Sequence, residues 1–317
     1  MSGAALRTSA WRGLQVIPVV IIATLVVFLL LQLVPGDPAI TLAGENATPE
    51  QIEQIRALYN LDQPLLVQYG QWLLNAMQGD LARSLMSGED VTRLILQNLP
   101  PTLLIVTCAM AISLAIGIPL GVMSAIHRGG VLDTIATALA SVGIALPNFW
   151  LGMILINFLA LQNNIFPATG AGSLLQDPLN ALWYAFLPAL SLAAGGVAEI
   201  VRQLRSALLE VLDSQHVRTL HAKGLSPARI VWQHAMKNVS TTLLTVTGLL
   251  FNRLLGATVV IEAIFAIPGI GSLIVRSAIA KDFPIVQGVV FTMVLLVILG
   301  NLIIDVLYPI FDPRVER

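Results

Sequence analysis

The sequence predicts an all-α membrane protein of about six transmembrane helices with both termini in the cytoplasm. Of its 317 residues 56% are hydrophobic and 11% charged, and the mean hydropathy is +0.82, more apolar surface than one soluble core can hide. Apolar runs long enough for roughly 30 Å of hydrocarbon, at about 1.5 Å per residue, recur along the chain. Lys and Arg gather in alternate connections between them, which sets the orientation.

The first run covers residues 14–34, after Arg7 and Arg12. It is longer than the roughly 7 to 15 residues of a secretory signal and ends in Val34-Pro35-Gly36-Asp37, so it reads as an uncleaved span. Further spans follow at 101–126, 132–161, 183–201, 241–262 and 285–309, with Pro147 expected to kink or break the third. Residues 1–34 thus form a tail and first span, 35–100 an external segment, and 101–317 a core membrane domain with a polar loop at 202–238. Placing the N-terminus inside puts Arg7, Arg12, Arg128, Arg202, Arg205, Arg218, Lys223, Arg229, Lys237, Arg314 and Arg317 in the cytoplasm. Arg56, Arg83, Arg93, Arg276 and Lys281 then lie outside.

The external segment is acidic, with Asp37, Glu45, Glu50, Glu53, Asp62, Asp80, Glu89 and Asp90. Thr48-Pro49-Glu50-Gln51 is a capping box that opens a helix to about Tyr59. A second helix over 64–77 places Leu65, Tyr69, Trp72 and Leu73 along one face. The pair either caps a pore or meets a partner, or is a packed loop with a solvated acidic side. Asn46-Ala47-Thr48 matches the glycosylation pattern, which is too short to carry weight.

The most informative stretch is 214–238, which is basic and holds three of the four histidines. Asp213 or Ser214 can cap a short helix, Gly224 suits its left-handed end, and Ser226-Pro227 can open a second short helix. His216, His221 and His234 lack a coordinating pattern with Cys or Asp, so a metal role is not favoured. A lone Cys108 cannot form an internal disulfide, and a net charge of -1 with basic residues sorted by membrane side gives no nucleic-acid surface.

Within the spans, Glu199 is expected to pair with Arg202 three residues on, and Asp305 to reach interfacial water. Arg253 falls near the midplane of the fifth span with no acid at its depth, so it should face a wet cavity or another chain. It either lines a translocation path together with Asn252, favouring substrates with a carboxylate, or bridges to a second chain. Gly117, Gly121, Gly143, Gly152, Gly248 and Gly256 are read as sites of close helix approach. Pro268-Gly269-Ile270-Gly271 reads as an external turn within reach of a binding protein. No G-x-x-x-x-G-K-[ST], H-E-x-x-H or G-x-S-x-G occurs, so no catalytic residues are assigned and energy must come from another subunit.

Taken in order, several short pieces make the sequence resemble the permease subunits of dipeptide, oligopeptide and nickel ATP-binding-cassette importers. They are Leu33-Val34-Pro35-Gly36-Asp37-Pro38, Leu61-Asp62-Gln63-Pro64 with Gln68-Tyr69, Gly79-Asp80-Leu81, Pro147-Asn148-Phe149, and Arg218-Thr219 with Ala222-Lys223-Gly224-Leu225. His234-Ala235 with Asn238, the Pro268 turn and Asp312-Pro313-Arg314 complete the series. The resemblance implies a type I importer permease fold and a coupling role toward an ATPase for Val217, Arg218, Thr219, Leu220, His221, Ala222, Lys223, Gly224 and Leu225. Leu220 stands where the peptide-type relatives usually have alanine, and Asn60 and Ala82 where they usually have glycine. It further implies a bacterial inner-membrane location, a second homologous permease chain, two cytoplasmic ATPase subunits that bind ATP and Mg, and an extracytoplasmic binding protein. No cofactor or metal is expected in the chain itself. Di- and oligopeptides are the expected cargo; nickel or metal chelates and glutathione remain alternatives. A stand-alone channel or ion-coupled carrier is a reading of a different class.

Overall fold

The computed structural model describes residues 3–33, 39–40, 47–58 and 61–311, and among them the β pairing is an isolated bridge between Arg83 and Asp90. The helices in order are α1 (Gly3–Gln32), α2 (Pro49–Leu58), α3 (Leu65–Met77), α4 (Val91–Ile126), α5 (Val131–Ala145) and α6 (Asn148–Gln162). There follow α7 (Pro178–Leu212), α8 (Gln215–Ala222), α9 (Pro227–Ile264), α10 (Ile270–Ile279) and α11 (Phe283–Phe311). Among the described residues α4, α7, α9 and α11 are each long and apolar enough to cross a membrane, and α5 with α6 makes a fifth if the pair is one span. The chain is therefore a multi-pass membrane protein. The apolar part of α1, Ile17–Gln32, is shorter, within a helix of 30 residues. The Pro35 motif, Asn46, Asn60 and residues 312–317 lie outside the described residues.

Pro147 does more than kink its span. The axes of α5 and α6 differ by 98°, with Leu146 at ψ 124° and Pro147 at φ −63°, ψ 130°. A proline ring excludes the helical conformation from the residue before it, and both residues are extended here. Elsewhere the helices outrun the apolar windows. α7 starts where Asp177 accepts a hydrogen bond from the Asn180 amide at 3.0 Å with Pro178 in the first helical position, and it continues past Val201 to Leu212. Residues 202–212 are mostly good helix formers, so polarity does not stop it.

The described chain falls into two compact units, residues 1–100 with 272–296 and residues 101–271 with 297–317. In the first unit, Gln51 and Thr48 form the expected capping box, the Thr48 amide donating to Gln51 Oε1 at 2.9 Å and the Gln51 amide to Thr48 Oγ1 at 3.4 Å. α3 is not a free surface helix. The Tyr69 hydroxyl donates to the Ile21 carbonyl at 2.9 Å and meets the Thr24 hydroxyl at 2.9 Å, while its ring lies 5.7 Å from Phe28. These partners sit in the middle of the first apolar run, so α3 lies alongside α1 rather than beyond its end. Trp72 continues the contact to Phe291 of α11, whereas Leu65 is 42% exposed and does not join that face. The 80–90 loop is fastened by the buried Asp282, which accepts from the Ser84 hydroxyl at 2.5 Å and the Leu85 amide at 3.1 Å.

In the second unit α7 is the central helix, burying Leu187, Leu192, Ile200, Leu204 and Leu208. Small residues let its neighbours approach: a Cβ placed on Gly117 would stand 2.8 Å from the Ile200 side chain, and one on Gly143 2.9 Å from the Ala194 carbonyl. Gly256 departs from the expectation, since a Cβ there would meet open space. One polar hub joins the ends of these helices. Asp133, in the first turn of α5, accepts from Ser124 Oγ at 2.6 Å, the Gly129 amide at 2.8 Å, and Arg205 Nε and Nη2 at 2.6 and 2.8 Å. A carboxylate has about four acceptor sites, so these bonds saturate it.

Candidate functional site

The basic stretch folds into an elbow between α7 and α9. Ser214 caps α8, accepting from the Val217 amide at 3.4 Å, while Arg128 holds the neighbouring Asp213 in an exposed ion pair of 2.9 Å. At the other end Gly224 has φ +77°; its amide donates to the His221 carbonyl at 2.9 Å and the Leu225 amide to the Leu220 carbonyl at 3.2 Å. That pair of bonds is a Schellman motif, and Leu225 packing back toward Leu220 is its usual hydrophobic partner. Pro227 then opens α9 at its first helical position, after Ser226.

The second element is not a short helix. α9 runs through a π-turn at Ile230–Ala235 and continues without a break to Ile264. Between Ala228 and Thr247 there is no glycine or proline to stop it, and Lys237 and Asn238 are only polar.

Among the residues assigned to coupling, Val217 and Leu220 face inward, packed with Ile230, Val211, Leu212 and the half-buried Leu225. Arg218, Thr219, His221, Ala222, Lys223 and Gly224 are exposed and form the outward face. Leu220 therefore fills the centre of the elbow, where alanine would leave a gap. Below it Val231, Ala235 and Val239 pack with Val122 and Ala125 of α4 and Leu204 and Leu208 of α7, so the base of α9 is keyed to two membrane helices. His216 and His234 face each other at 6.2 Å, and no group of three potential metal ligands occurs among the described residues.

About 40 Å further along α9, at 1.5 Å per residue from Pro227, the structure corrects the expected pairing. Arg253 Nη2 lies 2.7 Å from Glu199 Oε2 on α7; the arginine is half exposed and the glutamate is 17% exposed. The sequence assigned Glu199 to Arg202 and left Arg253 without an acid because it ended the fourth span at Val201. With α7 running on to Leu212, Glu199 sits well inside the helix and at the depth of Arg253. Asn148 and Gly195 adjoin the pair: a Cβ on Gly195 would stand 3.5 Å from Asn148 Oδ1 and 3.9 Å from Arg253 Nη2. The adjacent Asn252 donates to Asn301 Oδ1 at 3.2 Å, and its own Oδ1 is buried without a partner.

Glu262, which the sequence places on the same helix beyond the depth of Arg253, is the second acid of this region. Glu262 is fully buried and accepts from Thr102 Oγ1 at 2.5 Å, and Thr102 in turn accepts from the Ile270 amide at 2.9 Å. A side chain on Gly269 would fall on the Glu262 carboxylate. Gly269, Ile270 and Gly271 are buried and only Pro268 of the turn is exposed, so its glycines serve close approach to this acid. The burial of Glu262 is what the sequence alone does not show, and the local sign of it is the pair of glycines seven and nine residues on.

Residues 117–317 match the family model described as "Binding-protein-dependent transport system inner membrane component", and residues 6–106 match its N-terminal companion. A protein of Brucella abortus (strain 2308) named as a peptide transport system permease is 41% identical over 305 residues, covering 96% of this chain and 97% of that one. The oligopeptide transport system permease protein AppB of Bacillus subtilis (strain 168) is 36% identical over 96% of this chain and 98% of its own length. The dipeptide transport system permease protein DppB of Escherichia coli (strain K12) is 35% identical over 95% and 96%. Two inward-facing structures of the MetNI methionine ABC transporter share the fold, with TM-scores of 0.55 and 0.58 at 20% and 19% identity, covering 69% of this chain and 96% of theirs. With family models matched along nearly its whole length, the chain belongs to the inner membrane components of binding-protein-dependent transport systems.

Proposed function

We propose that the chain is one permease subunit of an ATP-driven importer of di- and oligopeptides in a bacterial inner membrane. It crosses the membrane six times, with α1 as the first span and α5–α6 as the third, and both termini are cytoplasmic. A binding protein delivers peptide to the outer mouth. A second, related permease completes the path, and two cytoplasmic ATPases bind ATP and Mg. The relatives named as peptide permeases, alike over nearly the full length of both chains, support peptides over nickel, metal chelates or glutathione as cargo.

The elbow carries this reading. A short helix clamped at one end by α7 and locked at the other by the Schellman turn into α9 moves as a rigid body, where a loose loop would absorb a push. The outward Arg218, Thr219, His221, Ala222, Lys223 and Gly224 form the face an ATPase engages, backed by Val217, Leu220 and Leu225. Because α9 is continuous from the elbow to Arg253, tilting α8 displaces the charged pair about 40 Å away. Arg253 and Asn252 line the translocation path. A guanidinium beside a carboxylate suits both ends of a zwitterionic peptide, and pairing with Glu199 removes the need for a second chain to neutralise Arg253.

Replacement of Gly224 by Val tests the coupling. In the reconstituted complex it should leave ATP hydrolysis running while peptide uptake falls severalfold; normal uptake would remove the elbow from the mechanism. A stand-alone channel or carrier would purify in active form without an ATPase, which co-purification decides.

A further inference from the structure

Because Glu199 turns to Arg253, Arg202 is left without the acid that its sequence position promised, and it has no acidic partner among the described residues. The next acid along this face gives no help. Asp133 is bound bidentately by Arg205 and is already filled by Ser124 and Gly129. Beside these two arginines lies a cavity of about 450 Å³ lined by Thr137, Ser141, Ile144, Arg202, Arg205 and Ser206. Its volume falls in the range of small-molecule sites, about 300 to 1,000 Å³. The Ser141 hydroxyl donates to the Thr137 carbonyl at 2.8 Å, and Ser206 is exposed with its hydroxyl free to donate. The cavity therefore has a net positive charge from one unneutralised guanidinium, a second guanidinium fixed in place, and a hydroxyl donor. Arg202 and Ser206 are both exposed, so an anion can reach them from outside the helix pair.

We propose that this cavity is an oxyanion site, in which the Arg202 guanidinium and the Ser206 hydroxyl bind one carboxylate or phosphate group. Two sources have that chemistry: the C-terminal carboxylate of a transported peptide, which rests on the importer reading, and the phosphate of a membrane lipid headgroup, which does not. The guanidinium fork binds either oxyanion with two parallel N–H bonds.

The test uses the full transporter complex, wild type and Arg202→Gln, in two equilibrium measurements. Native mass spectrometry after exchange into equal parts phosphatidylglycerol and phosphatidylcholine reads retained anionic lipid. Calorimetry in nanodiscs of phosphatidylcholine alone compares Ala-Ala with its C-terminal amide. For a lipid site, Arg202→Gln loses about tenfold in phosphatidylglycerol retention, with peptide binding unchanged. For a peptide site it loses about tenfold in Ala-Ala affinity and nothing toward the amide. Ser206→Phe, which fills the cavity from an exposed position, should give the same loss and serves if Arg202→Gln does not assemble. Wild-type retention of phosphatidylglycerol together with wild-type affinity for Ala-Ala in these variants overturns the proposal. Neither measurement needs transport, so failure of the importer reading, which the Gly224 variant detects, is seen separately.

Discussion

The elbow and the charged pair share helix α9, yet they are specified in opposite ways. The bonds that cap and close α8 link residues within a few positions of one another: Ser214 to Val217, Gly224 to His221, Leu225 to Leu220. The pair at Arg253 joins residues 54 positions apart on two helices, and nothing near either residue announces the other. The difference teaches that a turn can be written locally, whereas a contact in the membrane depends on how far each helix extends and how it is rotated.

If the elbow is also held by a core of its own, Leu220→Ala should give the largest effect. Removing a buried leucine here costs about 2.5 kcal/mol, because the gap facing Val217 and Ile230 can close only in part. Hydrogen exchange of the complex would show it as lost amide protection confined to residues 215–225. An unchanged pattern would mean that the local bonds suffice alone.

The charged pair should be weaker than its distance suggests, since half of Arg253 is open to its surroundings. A double-mutant cycle of Arg253→Met and Glu199→Gln in thermal unfolding is expected to give a coupling of about 1.5 kcal/mol, with each single variant worse than the double. Additivity would show that the two residues merely adjoin. In transport, Arg253→Met should change the preference between free and amidated peptides; unchanged selectivity would place the pair off the path.

What was legible follows the same division. The caps at Thr48 and Ser214, the glycine at 224 and the break at Pro147 could all be read because each is a property of two to four consecutive residues. Leu220 looked like a departure, although its side chain completes the elbow. The true partner of Glu199 is not legible because the apolar run ends at Val201 while the helix does not, which makes the residue look close to a membrane face. Asp133 was overlooked because its partners, Ser124 and Arg205, come from helices on either side of it in sequence. The same limit applied to α3, whose Tyr69 face reads as amphipathic but could not be placed beside the middle of α1 without the fold.

Two residues in the left-handed region give the finest test of how local the encoding is. Gly224 has φ +77° and a Cβ there would meet nothing within 4 Å, so Gly224→Ala costs only the backbone preference, about 1 to 1.5 kcal/mol. Ala82 sits at φ +69°, its amide donating to Asp80 Oδ1 at 2.9 Å. Here the wild-type residue bears the strain, so the sign reverses: Ala82→Gly should stabilise by somewhat less, about 0.5 to 1 kcal/mol, because glycine also loosens the unfolded chain. Thermal unfolding of the two variants beside wild type measures both. Should Ala82→Gly destabilise instead, the Ala82 methyl must contribute packing that outweighs its backbone cost, and the 80–90 loop would be held by side-chain contacts as well as by the bonds to Asp80 and Asp282.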